Sequence, residues 1–149
     1  MKSLIAFLIL AVSFSSFAFV PEQECKDRKG NVLTTNLSQI IKIMHNNDPR
    51  GQIYVTGTIA QIQAEDRNGR SHQKFILNVS KDITLSIVSN LEFGRIPLVV
   101  GKIVSICGEF LHVGKGMVHW THFDPHGGHA DGFTILDGKL YGDKEVPVN

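Results

Sequence analysis

Residues 52–59 read Gln52-Ile53-Tyr54-Val55-Thr56-Gly57-Thr58-Ile59, and their pattern decides the fold class. Ile53, Val55, Gly57 and Ile59 alternate with Gln52, Tyr54, Thr56 and Thr58. A period of two is that of a strand with one buried face. Gly57 in its middle predicts a bend or bulge. After a turn at Asp66-Arg67-Asn68-Gly69 the same period returns twice, in Phe75, Leu77 and Val79 and in Ile83, Leu85 and Ile87. A loop around Gly94 to Pro97 leads to a long fourth strand, roughly Leu98 to His112. Gly114-Lys115-Gly116 then turns the chain into a fifth strand, Met117 to about His122. Five antiparallel strands with a long bent first member predict a mainly β chain, folded as a small five-stranded OB-like barrel. A generic β-sandwich or open barrel is the alternative. A further short hairpin is expected around Asp137-Gly138.

Upstream, the period changes to that of a helix. Asn36 is placed to cap a helix from Leu37 to about His45, in which Leu37, Ile40, Ile41 and Met44 fall at i, i+3, i+4 and i+7. The run Asn46 to Pro49 stops it. Residues 19–35 are mixed and polar and read as an extended tail. The first 18 residues carry Lys2, the apolar run Leu4 to Val12 and the small residues of Ser16-Phe17-Ala18. That is the pattern of a signal peptide cleaved after Ala18, and its apolar run is too short to span a bilayer. The chain therefore divides into 1–18, an export leader, 19–35, a tail, and 36–149, one OB-like domain. Its expected location is the periplasm or the extracellular medium.

Cleavage would remove Lys2 and leave 14 basic and 14 acidic residues. A neutral chain argues against nonspecific polyanion binding, whose affinity comes from Lys and Arg neutralising phosphates. The outward residues of the second and third strands, His72, Lys74, Ile76, Asn78, Thr84, Ser86 and Val88, include no aromatic ring. Single-strand binders stack bases on such rings, so nucleic-acid binding by the usual OB mode is disfavoured. Cys25 and Cys107 are the only cysteines, and an even count in an exported chain predicts a disulfide. Alternation puts Cys107 on the more polar face of its strand, where the tail can dock. In the chain-entropy model, closing so long a loop contributes roughly 4–5 kcal/mol.

Five of the seven histidines fall between residues 112 and 129: His112, His119, His122, His126 and His129. Imidazoles and carboxylates at this density supply the donors of a divalent transition-metal site, or of general acid–base catalysis near neutral pH. The candidate catalytic residues are His119, His122 and Asp124. The candidate metal ligands are His122, His126, His129 and Asp131, folded together by Gly127-Gly128. No spacing here matches a high-specificity zinc motif. An extended fifth strand would point His119 and His122 to opposite sides. A second candidate stretch, Arg70-Ser71-His72-Gln73, opens the second strand. With Trp120 it supplies the candidate ligand-binding residues Arg70, His72, Gln73 and Trp120.

On these two stretches the chain resembles a family of small exported bacterial proteins, domain of unknown function 3465. The matching elements are Asp66, Gly69, His72, Gln73 and Phe75, then Gly114 and Gly116 through His119-Trp120-Thr121-His122, Asp124 and Pro125, then His129, Gly132 and Asp137-Gly138-Lys139-Leu140-Tyr141. Ser89-Asn90 stands where the family pattern has His-Asn, and Lys115 splits a doubled glycine. The resemblance implies a compact β domain in which His72, His119, His122 and Asp124 lie together. It implies no activity. Three functions follow as expectations. One is a binding module for a small ligand, glycan or protein. Another is a phosphodiesterase-like or nuclease-like hydrolase in which Arg70 or Lys74 steadies an anionic transition state. The third is an extracytoplasmic metal-binding protein.

Overall fold

The structure is a computed structural model, and it describes residues 23–46, 50–66 and 69–144. The expected export leader lies outside these residues, as do most of the helix stop after Asn46 and the tip of the turn after Asp66. The described chain is mainly β with one short helix, in the order β1 (Cys25–Lys26), β2 (Val32–Leu33), α1 (Ser38–His45), β3 (Arg50–Asp66), β4 (His72–Asn78), β5 (Thr84–Asn90), β6 (Ile103–Leu111), β7 (Met117–His119), β8 (Phe133–Leu136) and β9 (Lys139–Tyr141). A 3-10 turn, Leu91–Phe93, follows β5. No described helix is long and apolar enough to cross a membrane.

β3 is the strand read first from the sequence, and it changes partner along its length. Arg50 to Thr58 pair with β6, and Thr58 to Asp66 pair with β4. The register shifts between Ile59 and Gln61, just past Gly57. A Cβ at Gly57 would lie 2.6 Å from the Asn78 carbonyl oxygen, so only glycine lets β4 approach where β3 bends. β4 pairs with β5, β5 runs parallel to β7, and β7 pairs with β6, which returns to β3. The sheet has seven strands instead of five, and the β5–β7 pair departs from an all-antiparallel expectation. The extra pair is the hairpin expected around Asp137-Gly138, formed by β8 and β9 and added to β6.

Alternation sets the core. Ile53, Val55, Ile59, Phe75, Leu77, Leu85, Ile87, Val104, Ile106, Phe110, Val118 and Leu136 are buried together. Each fully buried side chain of this kind contributes about 1.5–3 kcal/mol. The helix joins the core through Ile40 and Ile43, while Ile41 and Met44 are exposed. Its apolar stripe is therefore rotated from the expected one. The reason is Gly51, where a Cβ would lie 2.7 Å from Ile43 Cδ1, so the start of β3 leaves room for Ile43. The helix starts one residue later than expected, with Leu37 at the N-cap position and no side-chain cap, while Asn36 just before it accepts the Ser38 N–H at 2.9 Å.

The expected extended tail instead carries a two-stranded ribbon, β1 and β2. The Cys25–Cys107 disulfide fastens it, with a Cα separation of 5.6 Å. Cys25, Cys107 and Phe133 form a second, smaller buried cluster against Tyr54, Leu33, Ile135 and Leu140.

Candidate functional site

The site grows from a fork on one edge of β6. Glu109 to Leu111 pair with β7, whereas Val104 to Cys107 pair with β8. Gly108 sits at the fork, where a Cβ would lie 2.7 Å from the His119 carbonyl oxygen. The expected fifth strand accordingly ends at His119 and does not reach His122. The chain leaves the sheet at Trp120, which has φ of 50°. That left-handed conformation costs a non-glycine residue about 1–2 kcal/mol, and it supplies the turn between His119 and His122 that an extended strand would lack. The excursion closes on itself. Gly132 N–H donates to the His122 carbonyl at 2.8 Å, and Phe123 N–H donates to the Gly142 carbonyl at 2.6 Å.

Asp124 organises the loop so formed. Its carboxylate accepts the N–H of His126 at 2.9 Å and of His129 at 2.7 Å, while its own N–H donates to Asp131 Oδ1 at 2.8 Å. These backbone donors, from His126 first and then His129, hold its carboxyl down to about 2. It stays ionised near neutral pH, so proton donation is not its role. Its folded value lies below the ordinary 3.8, so what it contributes to stability is complete above that value. That contribution is lost only as the pH falls through about 2. Asp124→Asn is expected to speed protease cleavage within residues 124–131 at neutral pH, with the sheet intact by circular dichroism.

Three imidazoles and two larger rings then form a ladder. His119 lies on one face of Trp120, with centroids 4.3 Å apart, and His129 lies on the other at 4.5 Å. His129 meets His122 edge-on at 5.0 Å, and His122 stacks on Phe93 at 3.9 Å. Two further imidazoles, His72 on β4 and His126 in the loop, border the same space. Hydrogen bonds fix which nitrogen is free. His122 Nδ1 and His129 Nδ1 meet the carbonyls of Phe123 and Ala130 at 2.7 and 2.8 Å. His119 Nε2 meets Glu109 Oε2 at 3.0 Å. As donors in these bonds, the neutral rings keep Nε2 of His122 and His129, and Nδ1 of His119, as acceptors.

Burial pushes the His122 imidazole below its ordinary 6.5, against the Phe123 carbonyl, which favours the charged form. His129 and Arg70 add to the lowering and Asp124 opposes it. The sign follows from linkage. A histidine whose folded value is depressed contributes stability above about pH 6.5, and loses it as the pH falls toward the folded value. The melting temperature is therefore expected to drop between pH 7 and pH 5. The drop shrinks in His122→Phe, which keeps a ring on Phe93.

These groups line a cleft of about 760 Å³ together with Asp66, Arg70, His72, Lys74, Val88, Asn90, Glu92, Met117, Pro125, His126 and Gly128. The two sequence stretches thus meet, since β4 and the β7 exit both border β5. Arg70 Nε lies 3.6 Å from Glu92 Oε2, which also accepts from Asn90 Nδ2 at 3.2 Å. Asn90 pairs across the sheet with His72 and caps the Leu91–Phe93 turn through Glu92 N–H at 2.9 Å. Ser89, where the resemblance led to the expectation of a histidine, is buried opposite Gln73 and is not part of the lining.

Three expected roles change. Gln73 is buried, and its amide clamps Ile96: Nε2 donates to the Ile96 carbonyl at 3.0 Å, and Oε1 accepts the Ile96 N–H at 2.8 Å. It shares the core-facing parity of Phe75, so it serves the fold and not a ligand. Gln73→Ala is expected to cost about 2 kcal/mol in chemical denaturation, because it strands two buried backbone groups. Trp120 has both faces covered by imidazoles and presents only its edge. Among the described residues no group of three or more His, Cys, Asp or Glu side chains is arranged to hold a metal ion. The expected set of His122, His126, His129 and Asp131 is not assembled, because Asp131 is taken by the Asp124 N–H and lies outside the cleft. The catalytic trio is also divided, with Trp120 and His129 lying between the rings of His119 and His122.

Glu109 is the residue that sequence reading passed over. It is 8 % exposed and faces His119 in register across β6 and β7. The available signal was a carboxylate in the middle of Ile106-Cys107-Gly108-Glu109-Phe110-Leu111, an otherwise apolar run.

The model of a family described as a protein of unknown function, DUF3465, matches residues 32–142, and the chain belongs to that family. No curated protein and no solved structure matches it.

Proposed function

We propose that this DUF3465 member is an exported binding module, folded as an OB-like barrel, whose polar histidine-rich cleft takes a small ligand. One observation carries the reading. Arg70, His72 and Lys74 line the same cleft as His119, His122 and His129, from stretches far apart in sequence. Its volume of about 760 Å³ falls in the range of small-molecule sites, about 300–1,000 Å³. The barrel reading is supported by the circuit of ladders from β3 through β4, β5, β7 and β6 back to β3. Export is supported by the leader-like residues 1–18. Nucleic acid remains outside the proposal, because the one Trp has no free face for a base.

The test is a thermal-shift screen of sugars, sugar phosphates, amino acids and organic acids against the mature chain and Val88→Trp, which fills the cleft. Ligands that stabilise the former and not the latter support the reading. Equal responses in both overturn it.

A second reading is a hydrolase, favoured by the His119–Glu109 pair at 3.0 Å. A buried carboxylate on one ring nitrogen orients the other as a general base. Turnover of bis(4-nitrophenyl) phosphate is expected to fall about 10²-fold in Glu109→Gln under this reading. A turnover unchanged by that variant sets it aside.

A further inference from the structure

The charges lining the cleft are unevenly engaged. Glu109 holds His119, Glu92 is shared by Arg70 and Asn90, and Asp124 is taken up by backbone N–H groups of its own loop. The side chains of Lys74, His72 and His126 make no hydrogen bond or ion pair among the described residues. Three of the carboxylates at the cleft are thus satisfied, while three basic heads are open to an incoming group. An oxyanion is the ligand chemistry that such heads complete. The ring ladder narrows the body of that ligand. Both faces of Trp120 are covered and Phe93 is buried under His122, so a planar base finds no sandwich.

The same residues make the cleft's charge depend on pH. From β3, β4 and its approach, the turn after β5, β6, and β7 with its exit loop, the groups facing the cleft are Asp66, Arg70, His72, Lys74, Glu92, Glu109, His119, His122, Asp124, His126 and His129. With imidazoles neutral, two cations face four carboxylates, a formal charge of −2. With all five imidazoles protonated it is +3. The stack tolerates that charging, because the indole faces attract imidazolium on either side. Partial burial disfavours the charged form of His122.

We propose that the cleft is an acid-favoured oxyanion site for a small phosphate- or sulfate-bearing ligand with a non-aromatic body, such as a sugar ester, gripped by Lys74, His72 and His126. The proposal rests on the binding-module reading and names its ligand class.

The experiment is calorimetric titration of the mature chain with glucose 6-phosphate, glucose 6-sulfate, glucose and adenosine monophosphate at pH 5.5 and 7.5. The expected result is at least about tenfold tighter binding of glucose 6-sulfate at pH 5.5, a smaller gain for glucose 6-phosphate, which itself takes up a proton at about pH 6, and adenosine monophosphate no tighter than glucose 6-phosphate. Preference between the two esters distinguishes a phosphate from a sulfate site. Lys74→Gln is expected to weaken both pH values alike, whereas His72→Asn reduces the ratio between them. Both side chains are on the outward face of β4 and outside the core. The wild-type pH comparison decides the matter without them. Ester binding that is equal at both pH values, or absent while glucose binds, overturns the oxyanion site and leaves the binding module standing. If none of the four ligands binds and the thermal-shift screen is also blank, both readings fall.

Discussion

Gly132→Ala is expected to destabilise the protein by about 3 kcal/mol and to lower its melting temperature by about 10 °C. A Cβ at this position would lie 2.1 Å from the Trp120 carbonyl oxygen, 2.7 Å from that of Cys107 and 2.9 Å from the His122 nitrogen. All three are backbone atoms, so no side chain can rotate away. The same residue donates to the His122 carbonyl and closes the base of the histidine loop. The substitution therefore acts on the loop and on the β6–β8 register together. Thermal unfolding followed by circular dichroism measures the first effect, and amide exchange at residues 119–132 the second. A variant with wild-type stability and unchanged exchange would show that the loop is not seated in this way.

The double substitution Cys25→Ala and Cys107→Ala is expected to cost about 2–5 kcal/mol. The bridge spans 82 residues, and removing it frees a long loop in the unfolded chain. It also releases the ribbon from the small cluster around Phe133. That ribbon reaches the site, since Arg28 in its turn donates to the Gly128 carbonyl, while Gln52 of β3 donates to that of Asp131 at 3.0 Å beside Cys107. Faster amide exchange at His129 and Gly132, whose N–H groups hold the loop, is therefore expected to accompany the loss of stability measured in urea. An intact loop in the unbridged variant would confine the disulfide to a purely global role.

Period-two alternation carried most of the fold. It placed Ile53 and Val55, Phe75 and Leu77, and Leu85 and Ile87 inside, and it put His72 and Lys74 on the outward face. It also set Gln73 on the core side, where the structure has it as a clamp, although the neighbouring histidine had suggested a ligand role. Alternation reports burial and not partners, so it left the parallel β5–β7 pair and the fork at Gly108 unread. The histidine site was visible as composition and hidden as geometry. Its shape depends on a left-handed Trp120 and on Gly108 and Gly132 yielding room to backbone atoms. No local propensity encodes contacts of that kind between distant segments. The family resemblance supplied the expectation that the two motifs meet, and Asp124 entered as a candidate catalytic residue when its neighbours make it a loop anchor.

The central claim is that the β4 approach and the β7 exit loop form one ligand cleft. Imidazole-resolved NMR of the chain without residues 1–18, titrated with each ligand from the thermal-shift screen, tests it most directly. The account predicts that a bound ligand moves the ring resonances of His72 and His129 together, with one dissociation constant. Ligands that move only one of the two rings, or that leave both in place while binding elsewhere, would contradict it.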